Sequence, residues 1–124
     1  MKKRQGLTKG EEEIMQLLWQ LGKGTVNDII ALMPDPKPKY TTVATFIKIL
    51  ENKEYVRHEQ LGKSFVYYPA VEKEEHARSV MKSMLTDYFG GSVSNLVSFF
   101  SQHENISTRE MDEILEIIDR AKRA

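Results

Sequence analysis

Apolar residues recur along the chain with two different periods, and the change of period divides it into parts. Ile14, Leu17, Leu18 and Leu21, with Met15 and Trp19 beside them, have the spacing of one broad helical face. Just ahead, Thr8-Lys9-Gly10-Glu11 reads as a capping box, with Thr8 as N-cap and Glu11 reaching back to it. Gly22-Lys23-Gly24 ends that helix. Thr25 caps a shorter one, whose buried side is Ile29, Ile30, Leu32 and Met33. Residues 34–38 hold three prolines and stop it, since each proline lacks an N–H and disfavours helix in the residue before it. A third helix is expected over about residues 40–53, with Val43, Phe46, Ile47 and Leu50 at i, i+3, i+4 and i+7 as its core stripe.

Between residues 54 and 69 the period falls toward that of a strand. Residues 55–59 and 64–68 are rich in β-branched and aromatic side chains, and residues 60–63 lie between them as a turn, which predicts a hairpin. The rest reads as helix. Ala77, Val80, Met81, Met84, Leu85 and Tyr88 lie on a fourth helix, which Gly90-Gly91 breaks. Val93, Leu96, Val97 and Phe100 form the stripe of a short fifth. Ser107 caps a sixth, with Glu110 closing its box, Ile106 stapling onto Met111, and Met111, Ile114, Leu115 and Ile118 as its stripe.

Three helices followed by a hairpin is the order of a winged helix-turn-helix. The predicted fold is mainly α with a small β-hairpin: a winged-helix DNA-binding domain over residues 1–70 and a three-helix dimerisation region over residues 71–124. The last three helices carry more apolar positions than so short a segment can cover alone, so they pack on a second copy or on the first domain. Proteins of this order that read palindromic sites are two-fold dimers, which favours the second copy. Val80, Met84, Tyr88, Leu96, Phe100, Met111, Ile114, Leu115 and Ile118 are the expected dimer residues.

The third helix carries the functional signal. Opposite its stripe lie Thr41, Ala44, Thr45, Lys48 and Asn52, a face that is small, rich in hydroxyls and free of carboxylates. Small side chains permit close approach, and hydroxyls and a lysine bond phosphates and base edges. Two readings fit this stretch by itself: an ordinary amphipathic helix, or a helix that enters a DNA major groove. The hairpin that follows favours the second. Lys63 at its tip can reach a phosphate, and Arg57 on its first strand can do the same or pair with a nearby glutamate.

Composition adds limits. The 124 residues carry 18 Lys+Arg and 18 Asp+Glu, a formal charge of zero, but residues 1–69 are net +3 and residues 70–124 net −3. That asymmetry suits a first half that meets a polyanion. The basic start, Met1-Lys2-Lys3-Arg4, has no apolar segment directly after it and so does not read as a secretion signal. No apolar run approaches the ~20 residues that cross a bilayer, so no membrane insertion is expected. The absence of cysteine removes disulfides and thiolate metal sites and suits a cytoplasmic protein. His58, His76 and His103 lie far apart, without the spacing of a zinc helix, and read as surface or half-buried residues. Glutamates 11–13 and those at 72, 74 and 75 lie at helix starts and read as solvated first turns. Neither a phosphate loop nor a nucleophile motif occurs, so no enzyme, cofactor or metal is expected.

Three motifs in register then point to a family. Leu7-Thr8, Glu11, Ile14-Met15 and Leu18-Trp19, then Tyr40-Thr41-Thr42-Val43 with Thr45, then Gly62-Lys63 with Tyr67 and Pro69, resemble the BlaI/MecI family of penicillinase repressors. The likeness continues through Gly90-Gly91 and Asn95-Leu96-Val97 to the last helix. The resemblance implies a homodimeric repressor on a palindromic operator, controlling β-lactam resistance or related genes. It implies DNA contacts at Lys39, Tyr40, Thr41, Thr42, Ala44, Thr45, Lys48 and Lys63. It also implies induction by a membrane-bound β-lactam sensor with a metalloprotease, which cuts the repressor within the fifth helix.

Four departures from the family pattern matter. Ala44 stands where a long polar side chain is common, and Ile49 where an arginine is. The pair at the scissile bond is Phe99–Phe100 in place of Asn–Phe, and the C-terminal cysteines of copper-responsive relatives are missing. Two other functions compete with the repressor reading. One is a winged-helix regulator released by a small ligand or metal, and the other a protein-interaction module that does not bind DNA.

Overall fold

The computed structural model describes residues 5–123; the basic start at residues 1–4 lies outside them. The chain divides into two units, residues 1–78 and 79–124. The first holds α1 (Lys9–Leu21), α2 (Val26–Ala31), α3 (Tyr40–Asn52), β1 (Val56–Leu61), β2 (Ser64–Pro69) and the opening of α4 (Lys73–Phe89). The second holds the rest of α4, then α5 (Val93–His103) and α6 (Thr108–Arg123).

The first unit forms around the predicted stripes. Ile14, Met15 and Leu18 of α1, Val26 and Ile29 of α2, and Val43, Ile47 and Leu50 of α3 are buried in one core with Tyr55, Val56 and Val71. Phe46 completes the α3 stripe only in part: it is half-buried at the edge of the core. Capping boxes start both α1 and α2, Thr8 with Glu11 and Thr25 with Asp28. A Schellman arrangement ends α3: Tyr55 N–H donates to the Leu50 carbonyl at 2.9 Å and Glu54 N–H to that of Glu51 at 3.0 Å, with Glu54 at φ +68°.

The hairpin is antiparallel, with Val56 opposite Pro69 and Leu61 opposite Ser64. Gln60 and Leu61 belong to β1, so the loop is only Gly62-Lys63. Gly62 takes φ +64°, the conformation that a two-residue turn with glycine first requires. Gly24 adds a further rung: its N–H donates to Tyr67 O at 2.9 Å and its carbonyl accepts from Tyr67 N–H at 2.8 Å. The segment between α1 and α2 is thereby fastened to the wing. A Cβ on Gly24 would lie 3.2 Å from side-chain atoms of both Asp28 and Leu21, so glycine is the fitting residue there.

Two expectations for the first unit need correction. Glu11 is not a solvated first-turn residue; it is 3% exposed and paired with Lys53. His76 is buried, with Nε2 3.0 Å from Glu12 Oε2 and its ring against Trp19 and Tyr55. Trp19 Nε1 donates to Val71 O at 2.8 Å. These contacts hold the first turn of α4 within the first unit.

In the second unit Gly90 and Gly91 both take positive φ, ending α4. Ser92 caps α5, accepting from Asn95 N–H at 3.1 Å. Ser107 accepts from Glu110 N–H at 3.1 Å as the expected cap of α6. Neither α5 nor α6 contains a buried residue. Leu96 and Ile114 are half-buried, whereas Val80, Met84, Tyr88, Phe100, Met111, Leu115 and Ile118 are exposed, Tyr88 to 80%. Among the described residues no helix is long and apolar enough to cross a membrane.

Candidate nucleic-acid interface

Because Val43, Ile47 and Leu50 face the core, α3 turns its other side outward. Lys39 sits at the N-cap position, exposed, with no side-chain capping bond. Tyr40, Thr41, Thr42, Thr45 and Lys48 are all exposed. Ala44 differs from them: it is half-buried and packs on the core. It lies one residue after Val43 and three before Ile47, which places it on the flank of the stripe.

The hydroxyls have a set geometry. Thr45 Oγ1 donates to Thr41 O at 2.8 Å, one turn back, which fixes its proton and leaves its lone pairs to accept. Thr41, Thr42 and Thr45 border a shallow hollow whose apolar part is Phe46 and Ile49. Ile49 was not among the candidate contact residues. Its position seven residues after Thr42 and four after Thr45, on the same helical face, was the available signal.

The wing continues this surface. Lys63 is exposed at the turn and Arg57 is exposed on β1 opposite Tyr68. Among the described residues Lys39, Lys48, Arg57 and Lys63 form no salt bridge. Three other cations of the unit are committed. Lys53 pairs with Glu11, Lys23 pairs with Glu59 and lies 5.5 Å from the Tyr68 ring centre, and Lys37 donates to Ala31 O and Met33 O. Unpaired cations therefore lie at the α3 N-terminus, on the outer face of α3 and on the wing, and Lys9 on α1 and Lys73 on α4 are likewise unpaired among the described residues. Glu51, in the last turn of α3, pairs with His58. Burial, then the neighbouring charges of Glu51 and Tyr40, push the Tyr67 phenol above its ordinary range, so it stays neutral at physiological pH.

Among the described residues no group of three or more histidine, cysteine or carboxylate side chains could hold a metal ion. What the arrangement offers is hydroxyl donors and acceptors beside an apolar hollow, flanked by free cations. Those are the groups that read base edges, touch a thymine methyl and bind phosphates.

Comparisons with known proteins give matches over most of the chain. A family model described as penicillinase repressor matches residues 7–120. The penicillinase repressor of Bacillus licheniformis is 25% identical over 125 residues, covering 98% of this chain and 96% of that protein. The methicillin resistance regulatory protein MecI of Staphylococcus aureus is 26% identical over 117 residues, covering 92% and 94%. A solution structure of monomeric B. licheniformis BlaI with the blaP half-operator matches with a TM-score of 0.50 at 25% identity, over 60% of this chain and 93% of that one.

Proposed function

We propose that this chain, which belongs to the penicillinase repressor family, is a transcriptional repressor that binds an operator as a homodimer and is not an enzyme. The observation that carries the proposal is the face of α3. Thr41, Thr42 and Thr45 stand beside an apolar hollow, and the free cations Lys39, Lys48 and Lys63 stand around them. The half-operator held by the matched BlaI monomer supports the same use of this unit. In this reading Tyr40, Thr41, Thr42, Thr45 and Ile49 meet bases, and Lys39, Lys48, Arg57 and Lys63 meet phosphates. Ala44 sits too far toward the core for more than a methyl contact.

The exposed apolar stripes of the second unit support dimerisation. Met84 and Tyr88 on α4, Phe100 on α5, and Met111, Leu115 and Ile118 on α6 are exposed side chains of the kind that a monomer buries. A second copy supplies a matching surface, because a two-fold interface uses the same patch on both chains. Regulation of β-lactam resistance or a related response follows from the names of the relatives.

Induction by proteolysis in α5 extends the proposal. Phe99 and Phe100 are each about half exposed, on a helix of 11 residues bounded by Gly90-Gly91 and a polar run. Such a helix opens locally at lower cost than the core, and local opening is what a protease needs. A membrane-bound β-lactam sensor with a metalloprotease domain is the proposed partner.

Gel-shift selection from a random duplex library tests the DNA-binding proposal. Recovery of one preferred site supports it, and recovery of none rejects it in favour of a protein-interaction module.

A further inference from the structure

A groove with a volume of about 520 Å³ lies on the first unit, away from the wing. Glu13, Gln16 and Leu17 of α1 form one side. Leu32, Met33 and the prolines at 34, 36 and 38 form the second, and Thr42 and Phe46 of α3 the third. Its volume falls within the ~300–1,000 Å³ of small-molecule sites. The walls are held in place. The three prolines fix their own φ, and Phe46 packs so closely on Gly10 that a Cβ there would lie 2.9 Å from the ring.

The lining is apolar except for three side chains. The Gln16 amide donates to Glu12, and Thr42 offers one hydroxyl. Glu13 is the only charged residue of the lining, and its carboxylate has no hydrogen bond or ion pair among the described residues. Lys37, between two of the prolines, is spent on the carbonyls of Ala31 and Met33, while Lys9 and Lys39, which adjoin lining residues in sequence, are not part of the lining. An organic anion would bring its charge beside Glu13, the one charge in the lining. A cation with an apolar body satisfies both the walls and the carboxylate.

We infer that this groove binds a small amphipathic organic cation, an ammonium group on an aromatic or branched body, and that its occupancy lowers DNA affinity. The second part rests on the DNA-binding role proposed for α3. Thr42 and Phe46 form one wall of the groove and also border the hollow on the outer face of α3. A guest wedged against them acts on side chains that DNA must also meet. The groove gives the ligand-released alternative a site in the N-terminal half of the chain.

The test uses the full chain with methionine methyls labelled for NMR, titrated with benzyltrimethylammonium and, separately, with phenylacetate. Met33 lines the groove, while Met81, Met84 and Met111 lie elsewhere and serve as internal controls. The expected result is a saturable shift at Met33 alone with the cation. Binding should be about fivefold weaker with Glu13→Gln, the upper end for an exposed ion pair, and weaker still with the anion. Leu32→Trp, which fills the groove from the α2 side, should remove the shift. Operator affinity, read by anisotropy, should fall as Met33 saturates. No saturable shift, equal binding of the anion, or indifference to Glu13→Gln overturns the site. A saturable shift that leaves operator affinity unchanged overturns the coupling. Because the titration needs no DNA, failure of the DNA-binding proposal and failure of the groove are read separately.

Discussion

His58 Nδ1 lies 2.5 Å from Glu51 Oε2, so the first wing strand is tied to the last turn of α3. The His58 ring also meets Phe65 edge-on, with centres 5.3 Å apart, and lies 5.6 Å from Tyr67. The pair is only partly buried, and such surface pairs contribute at most ~1 kcal/mol to stability. Its larger effect is on alignment, because helix and wing must grip one duplex together. His58→Ala should therefore cost less than ~1 kcal/mol in denaturant unfolding while weakening operator binding several-fold. Equal losses in both measurements would assign the pair to folding alone.

Thr42 and Lys63 should fail in different ways. Thr42→Ala removes a hydroxyl from the proposed base-reading face, so it should cost about 1–3 kcal/mol on the preferred site and little on others. Lys63→Ala should weaken all sequences alike and reduce the slope of log K against log salt by about one unit, one phosphate contact. Titrations by anisotropy at several salt concentrations separate the two.

The Glu11–Lys53 pair sets a dependence on pH. Burial pushes the Glu11 carboxyl up, but the bond from Lys53 and the hydrogen bonds of Thr8 outweigh it, and the net pKa is lowered. A lowered folded-state pKa means the stabilisation is in place above the ordinary carboxylate range. It is lost as pH falls through the folded-state value. Glu11→Ala should destabilise at neutral pH toward the low end of the ~3–5 kcal/mol for breaking a buried pair, since Lys53 keeps some solvent and also bonds Gly6 O. Thermal unfolding from neutral to acid pH should show the gap between wild type and variant closing as Glu11 protonates.

These residues also show what a linear pattern can and cannot carry. Both helix caps at Thr8 and Thr25, the core stripe of α3 and the hairpin around Gly62 were legible, because each is set by residues a few positions apart. Glu11 was misread because the partner that makes its burial tolerable is Lys53, 42 residues away. His76 was misread for the same reason: Trp19 and Glu12 reach it from α1 across more than 50 positions. The rung between Gly24 and Tyr67 lay hidden behind a glycine that also reads as a helix stop. In the candidate site, a helical wheel put Ala44 opposite the stripe, but a buried helical face is wide enough to take in its flank.

The contacts of His76 predict where the first unit can be cut. A fragment ending at Arg78 keeps Val71, His76 and the Trp19 hydrogen bond, so it should fold. It should run as a monomer, and its operator affinity should fall steeply, because the second half-site contact is no longer effectively intramolecular. A fragment ending at Val71 lacks His76 and should unfold at a lower temperature, by circular dichroism, than the longer one.

Sedimentation of the full chain, alone and with its selected duplex, tests the central claim most directly. The exposed stripes of α4, α5 and α6 predict a dimer at micromolar concentration and two chains on each operator, whose half-sites are inverted repeats. A chain that stays monomeric, or that binds one per site at full affinity, would contradict the account.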